Sequence, residues 1–426
     1  MRLSYPPAPS YYLLGNVWTP RPALRGETRV DVAVLGGGIA GCSAALHLAQ
    51  RGYRVALLEA RGIGYGASGR SGGQTIFGLA AGQQKLEREV GREQARRLFD
   101  LSIEALDLTQ ALIREHAIDC DYHPNHVHVA VKPRHVDALR QWQRELYEDY
   151  GYQSVRYLSR DALQAHVHAE RYLAGMLDPR SGHLQPLKYT QGVARAAETA
   201  GAVLYENSEV LRYENGREVQ VHTAQGTVRC AHLVLCGNAY IGAVAPSLAG
   251  RILGVGTYIV ATEPLGEERA RSLLPSNAAI ADMNWILDYF RRSSDHRLLF
   301  GGRVSYSSVQ PLRLADSMHH RMARAFPSLA DVPIAYAWGG YLDITMSRAP
   351  DFGRLAPNVY YLQGFSGHGV ALAGLAGKLA GEAIAGTAER FDVFARIAHR
   401  DFPGGSLFRR PTLVLAMLYY RLRDLL

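Results

Sequence analysis

Glycines at fixed spacing are the first residues in this chain that could do chemistry. Gly36, Gly38 and Gly41 fall in the G-x-G-x-x-G positions of Val32-Ala-Val-Leu-Gly-Gly-Gly-Ile-Ala-Gly41. In that pattern the first glycine allows a tight turn, the second lets backbone approach a pyrophosphate, and the third lets helix and strand pack closely. The helix start then offers unpaired N–H groups and a partial positive charge to phosphates. Glu59 ends the next apolar run, Val55–Leu58. A carboxylate there accepts hydrogen bonds from the two hydroxyls of a ribose and repels a 2′-phosphate; Arg61 beside it tempers the argument against NADP. Gly36, Gly38, Ile39, Ala40 and Gly41, with Glu59, Ala60 and Arg61, are therefore the expected nucleotide-binding residues.

A second glycine segment, Gln363-Gly-Phe-Ser-Gly-His-Gly-Val370, precedes another helix-like stretch. Two glycine turns of this kind point to one long cofactor gripped at two places, which favours FAD over NAD. A flavin ring at this second N-terminus would set its N1 and C2 carbonyl against helix N–H groups. Negative charge gained there on reduction would be stabilised by roughly 0.3–2 kcal/mol. Gly364, Ser366, Gly367, His368, Gly369 and Val370 are the expected flavin-side residues. His368 either adds positive charge or makes a structural hydrogen bond in a crowded turn. Between the two segments lies Gly64-Tyr-Gly-Ala-Ser-Gly-Arg-Ser-Gly-Gly-Gln74. Its backbone from Gly66, Ala67 and Ser68 to Ser71, Gly72, Gly73 and Gln74 could line the cofactor. Arg70 would then neutralise phosphate or stand beside the flavin; the alternative is a mobile surface loop.

These residues need a scaffold, and its elements are legible. Val30–Leu35 reads as a buried parallel strand, Gly41–Arg51 as a small-residue helix, and Val55–Leu58 as the next strand, completing a βαβ unit. Helical patterns run from about Lys85 to His116, His135 to Tyr150, Tyr189 to Ala200 and Val370 to Ala385. Strands are expected at Val127–Val131, Val203–Tyr205, Val219–His222 and His232–Leu235, with β-like alternation in Thr257–Thr262 and Arg297–Gly302. The order predicts an α/β (α+β) two-domain protein. A Rossmann-like FAD-binding domain would comprise 1–118, 180–250 and 337–426. It would be interrupted by a substrate domain, 119–179 and 251–336, built on a mainly antiparallel sheet.

Composition excludes several alternatives. The chain has 426 residues, 47% hydrophobic and 20% charged, as expected of a globular protein with a large core. A net charge of +8 invites a nucleic-acid reading, but the arginines are spread out and no nucleic-acid signature appears, so no nucleic-acid partner is expected. The four cysteines, Cys42, Cys120, Cys230 and Cys236, make no C-x-x-C pair and read as small buried residues of a reducing cytosol. No metal site is expected. The start of the chain has no apolar h-region and no run reaches transmembrane length, so a cytoplasmic location is expected. The tail Arg409–Leu426 is apolar with basic and tyrosine residues. It reads as a terminal helix docked on its own domain or as an interfacial helix on the inner face of a membrane.

Tyr11-Tyr12, the fingerprint, Gly66–Gln74, Gly182-His-Leu-Gln-Pro186, Trp338-Gly-Gly, Thr345–Pro350 and Gly364–Gly369 together resemble the D-amino-acid-oxidase-type superfamily of FAD enzymes, the glycine oxidase and sarcosine oxidase group. The branch most resembled is the bacterial γ-glutamylputrescine oxidases, near the L-pipecolate oxidases. The resemblance implies oxidation of a C–N bond in a small amine or amino acid, by hydride transfer to flavin N5, at a site between the two domains. The imine would then hydrolyse. Polyamine catabolism is the implied context for the first branch. An L-pipecolate or other secondary-amine oxidase is the alternative, as is a membrane-associated dehydrogenase that passes electrons to quinone instead of oxygen. Sarcosine oxidases attach FAD through a cysteine in their C-terminal region; the last cysteine here is Cys236, so non-covalent FAD is expected. Val210 and Gly237 complete the expected cofactor set. A substrate carboxylate would need an arginine, with Arg291, Arg303 and Arg348 as candidates, Arg348 alternatively forming an interdomain salt bridge. Tyr258, Trp285 and Tyr289 are candidate pocket walls or core residues. Arg70, His368 and Arg348 are the expected catalytic residues.

Overall fold

The computed structural model describes residues 10–17, 19–305 and 312–403, with the side chains of 303–305 excepted. The tail 409–426 lies outside the described residues. Two sheets organise the chain. The first has eight strands, in the order Asp351–Ala356, Val359–Gln363, Gly226–Leu235, Gly26–Leu35, Val55–Leu58 and Val203–Tyr205, with Arg212–Glu214 and Val219–His222 added as a flap on Gly226–Leu235. Its four central pairings are parallel. Val32, Ala33, Val34 and Val55–Leu58 are all buried, as parallel strands covered on both faces must be.

The second sheet has nine strands: Ile334–Thr345, Ile252–Thr262, Leu298–Ser305, Tyr289–Arg292, Ala279–Asp282, His123–Ala130, Ala174–His183 and Gln74–Thr75, with Arg156–Leu158 paired to Ala174–His183. It is antiparallel apart from the pairing of Ala279–Asp282 with His123–Ala130. Strand membership crosses the expected boundaries: Gln74–Thr75, the end of Ala174–His183 and most of Ile334–Thr345 all belong to this sheet.

The two glycine segments are tied together by their helices. Ile39–Gln50 and Gly369–Ile384 cross in close contact. A Cβ on Gly377 would lie 2.4 Å from the Ala40 carbonyl and 2.5 Å from the Ala44 nitrogen, so only glycine allows this approach. Ser43 Oγ donates to the Gly374 carbonyl at 2.6 Å across the crossing. Small residues on both helices therefore set both N-termini at one cavity.

Other elements follow expectation, with differences at their ends. The helical pattern expected over 85–116 is two helices, Gln83–Val90 and Arg92–Glu115. Gly91, at φ +81°, separates them, because a positive φ cannot continue a right-handed helix. The first strand starts at Gly26, earlier than its apolar run, because Gly26–Val30 pairs with Gly226–Cys230.

Candidate active site

A cavity of about 690 Å³ runs along the base of both glycine turns. It falls within the roughly 300–1,000 Å³ of small-molecule sites. Gly36, Gly38, Ile39, Ala40, Glu59, Ala60, Val210 and Gly237 line one part of it. Ser366, Gly367, His368, Gly369 and Val370 line another, and Gly66, Ala67, Ser68 and Arg70–Gln74 a third. Trp285, Tyr289 and Arg348 also face it.

The first turn has the geometry that its glycines imply. Gly36 has φ +103°, and a Cβ there would lie 2.5 Å from the Cys236 carbonyl. A Cβ on Gly41 would lie 1.9 Å from the Gly36 carbonyl, so this glycine packs the helix and does not line the cavity. Glu59 accepts from the Gly37 N–H at 2.7 Å and the Arg61 N–H at 2.8 Å. Burial pushes its carboxyl above the usual range. Each oxygen keeps a further lone pair toward the cavity. Arg61 joins the site through its backbone; its side chain is exposed. A half-buried carboxylate, a tight turn that admits no Cβ at Gly36, and two helix starts suit a dinucleotide cofactor.

The second turn is braced from below. Gly364, at φ +79°, donates its N–H to the Asp343 carboxylate, and a Cβ there would lie 2.6 Å from Thr345 Cγ2. Gly364 therefore shapes the turn without lining the cavity. Ser366 and Gly367 also have positive φ, +53° and +94°. Burial holds the His368 imidazole down at about 4, with the Arg348 charge acting in the same direction, so this histidine is neutral at ordinary pH and adds no positive charge. Asp343 is buried, its Oδ1 has no hydrogen-bond partner among the described residues, and burial raises its carboxyl to about 6. A carboxyl raised on folding holds its proton better in the folded than in the unfolded chain. Its contribution is thus full below about 4 and is lost as pH rises toward 6, a swing of about 3 kcal/mol. Asp343→Asn is expected to remove that fall. Urea midpoints for both proteins from pH 4 to 6.5 test this; parallel curves contradict it.

The loop Gly66–Gln74 is clamped and does not hang free. Tyr12 Oη donates to the Ser71 carbonyl at 2.8 Å, and its ring meets Trp338 edge-on. Arg291 Nε donates to the Gly72 carbonyl at 2.7 Å. Arg70 is buried, donates to the carbonyls of Tyr65 at 3.0 Å and Gly339 at 3.3 Å, and holds its charge in the cavity wall.

The three candidate arginines separate clearly. Arg291 is buried outside the cavity wall, committed to Gly72 and Tyr12. Arg303 pairs with Tyr258 across the sheet, and its side chain lies outside the described residues. Arg348 lines the cavity, at φ +65° in a turn closed by its N–H on the Thr345 carbonyl. Its guanidinium lies over the Trp285 ring, 5.9 Å from the centroid, and no carboxylate pairs with it among the described residues. Among the described residues it forms no interdomain salt bridge. Trp285 is 50% exposed, so this pair marks the cavity mouth.

Tyr289 is half-buried in the wall between Gly72 and Gly301, which have no side chain to displace it. Tyr258 does not reach the cavity. Thr257 faces it, and strand alternation turns Tyr258 into the apolar cluster behind the sheet. Several polar residues of the wall, His128, Glu209, Asn238 and Asn284 among them, have no counterpart in the expected site. The available signal was a histidine alternating with valines in His126-Val-His128-Val129. Among the described residues no cluster of three or more His, Cys, Asp or Glu could hold a metal ion, and no helix is long and apolar enough to cross a membrane.

Comparison with known proteins agrees with this geometry. The chain is 40% identical over 417 residues to the gamma-glutamylputrescine oxidoreductase of Escherichia coli (strain K12), covering 97% of this chain and 98% of that one. Its fold is that of glycine oxidase from Geobacillus kaustophilus, with a TM-score of 0.70, 22% identity and coverage of 84% and 95% of the two chains. An L-amino acid deaminase from Proteus vulgaris shares the fold with a TM-score of 0.71 at 15% identity, over 88% of this chain and 99% of that one. The family described as FAD dependent oxidoreductase (DAO) matches residues 31–383. The chain belongs to this family and is an FAD-dependent amine or amino-acid oxidoreductase.

Proposed function

We propose that the chain oxidises the terminal amine of γ-glutamylputrescine or a near analogue. Such a substrate carries an α-amino-acid head at one end and a primary amine at the other. The observation that carries this reading is Arg348, a guanidinium without a carboxylate partner among the described residues, held on the half-exposed Trp285 at the cavity mouth. It is placed to receive a carboxylate as the molecule enters. The relative named for this substrate aligns over nearly the whole of both chains.

In this reading the first sheet and its glycine turns serve the cofactor and the second sheet roofs the substrate. Glu59 and the Gly36–Gly38 turn hold the nucleotide. The Ser366–Val370 turn, with Arg70, would face the flavin ring. Bound FAD supplies the acceptor for two electrons from the C–N bond. The chain's own groups hold the carboxylate at Arg348, enclose the amine, and disfavour its ammonium form by desolvation and by the Arg70 charge. The imine product hydrolyses to an aldehyde and ammonia. The cofactor is non-covalent in this reading. Cys236, which borders the cavity at the Gly36 turn and away from the second turn, has its thiol pushed up to about 12 by burial and is a poor nucleophile. Electrons then pass to oxygen or to a quinone.

A substrate panel tests the proposal. Turnover with γ-glutamylputrescine is expected to exceed that with putrescine, N-butyrylputrescine and L-pipecolate by at least about tenfold in kcat/KM, as one charged contact implies. Preference for L-pipecolate would favour the cyclic-amine reading. Oxygen uptake compared with reduction of a soluble quinone identifies the acceptor.

A further inference from the structure

The inner wall of the cavity carries a polar side chain, His128, with no part in holding the nucleotide or the carboxylate. His128 lies on the strand His123–Ala130, whose Val127 and Val129 face the apolar cluster behind the sheet. Alternation turns His126 and His128 to the other side. His126 is buried, with Nε2 3.4 Å from Gln74 Oε1. His183, on the neighbouring strand, meets the Asn277 carbonyl at 2.8 Å. His128 differs from both. Its ring lines the cavity and makes no hydrogen bond or ion pair among the described residues. It is held by packing: the Trp142 ring lies edge-on at 5.0 Å and the His126 ring at 4.5 Å. Its backbone is fixed on both sides, opposite Met176 on one strand and Ala281 on the other. An imidazole with both nitrogens uncommitted is thus oriented by its neighbours and open to the cavity. A polar group so placed wants a partner that the fold does not supply.

Its charge state defines what that partner can be. Burial lowers the His128 imidazole to about 4, and His368, facing it from the second glycine turn, pushes the same way. The other ionisable group packed on the ring is His126, itself held well below the usual range by burial. Helix Pro133–Glu148 contributes only the uncharged Trp142 to this contact. A neutral ring offers one N–H donor and one lone pair. It is no base for an alkylammonium, which titrates near 10.4, about six powers of ten away. It is a suitable acceptor for an amine that has already lost its proton to solvent. Arg348, His368 and His128 all line the one cavity, whose mouth is marked by the half-exposed Trp285.

We propose that His128 receives the reacting amine, one ring nitrogen accepting a hydrogen bond from the uncharged substrate N–H while Arg348 holds the carboxylate at the other end. The amine keeps its own lone pair and is fixed in position for oxidation. This inference rests on the reading of the substrate as a carboxylate-bearing amine.

His128→Phe keeps the ring packing on Trp142 and deletes both nitrogens; His128→Asn restores an acceptor. For His128→Phe, kcat/KM for γ-glutamylputrescine is expected to fall about 10–100-fold, with flavin content and visible spectrum unchanged. The dissociation constant of γ-glutamylbutylamide, the same molecule without its terminal amine, is expected to stay within twofold of wild type when read from its perturbation of the flavin band. His128→Asn should recover most of the lost kcat/KM. The wild-type pH profile should rise toward the pKa of the substrate amine with no separate histidine limb near 6.5. An unchanged kcat/KM in His128→Phe overturns the proposal. So does an equal loss of γ-glutamylbutylamide affinity, which would mark a structural role. If wild type is inert to γ-glutamylputrescine, the substrate reading falls. The His128→Phe ratio is then taken with whichever panel amine bleaches the flavin, and an unchanged ratio there overturns the proposal equally.

Discussion

Gly36→Val is expected to weaken FAD binding by at least about 100-fold and to give protein that purifies without its yellow colour. Two independent penalties act at this position. The backbone φ of +103° is one that a β-branched residue does not adopt without strain. The added Cβ would also lie 2.5 Å from the Cys236 carbonyl, which is backbone and cannot rotate away. Together these cost about 3 kcal/mol or more, and each 1.4 kcal/mol is tenfold in affinity. Relief requires the turn to move toward the nucleotide site. The Gly36 N–H, which donates to the Leu58 carbonyl at 2.8 Å, would move with it and disturb the strand that ends at Glu59. The ratio of flavin to protein absorbance, followed by FAD titration of the apoprotein, measures the effect. A wild-type ratio in a folded Gly36→Val protein would contradict it.

Arg348→Met is expected to raise KM for γ-glutamylputrescine by about 10–100-fold while kcat changes by less than about threefold. Hydrogen bonds to a charged group contribute about 1.5–3 kcal/mol, which sets this range. Methionine keeps an unbranched, polarisable side chain beside Trp285, so the mouth is not emptied by the change. The discriminating control is N-butyrylputrescine, which has the reacting amine but no carboxylate. Its KM should not rise in the variant, so the preference between the two substrates should collapse. Arg348→Lys should recover only part of the difference, because an ammonium lacks the planar fork that grips a carboxylate and stacks on an indole. Equal losses for both substrates would assign Arg348 to the general shape of the mouth.

The cofactor half of the site was legible in the sequence because its constraints are local. Gly36, Gly38 and Gly41 are glycines for reasons that lie within one strand-turn-helix unit, and Glu59 follows at the end of the next strand. The second segment was legible for the same reason. Its partnership with the first was an inference from two similar motifs, and the structure supplies the physical link: Gly377 and Gly374 on one helix against Ala40, Ser43 and Ala44 on the other.

The substrate half was less legible because its residues meet only through sheet pairing. His128 lies beside Ala281 because Ala279–Asp282 inserts next to His123–Ala130 in the one parallel pairing among the described strands of an otherwise antiparallel sheet. No local pattern announces that contact. Residue type alone leaves Tyr258 open between pocket wall and core; its strand faces both ways, Thr257 takes the cavity side and Tyr258 the core. Arg291 and Arg348 were both candidates for the carboxylate in sequence, and of the two only Arg348 was an expected catalytic residue. Their separation depends on Tyr12 and Gly72, which are distant in the chain from Arg291 and claim its guanidinium.

Anaerobic mixing of the purified yellow enzyme with γ-glutamylputrescine tests the central claim most directly. The flavin absorbance band near the visible maximum is expected to be bleached to completion by a stoichiometric amount of this amine, and the colour to return when an electron acceptor is admitted. A flavin that stays oxidised with γ-glutamylputrescine and with every other amine of the panel would contradict it.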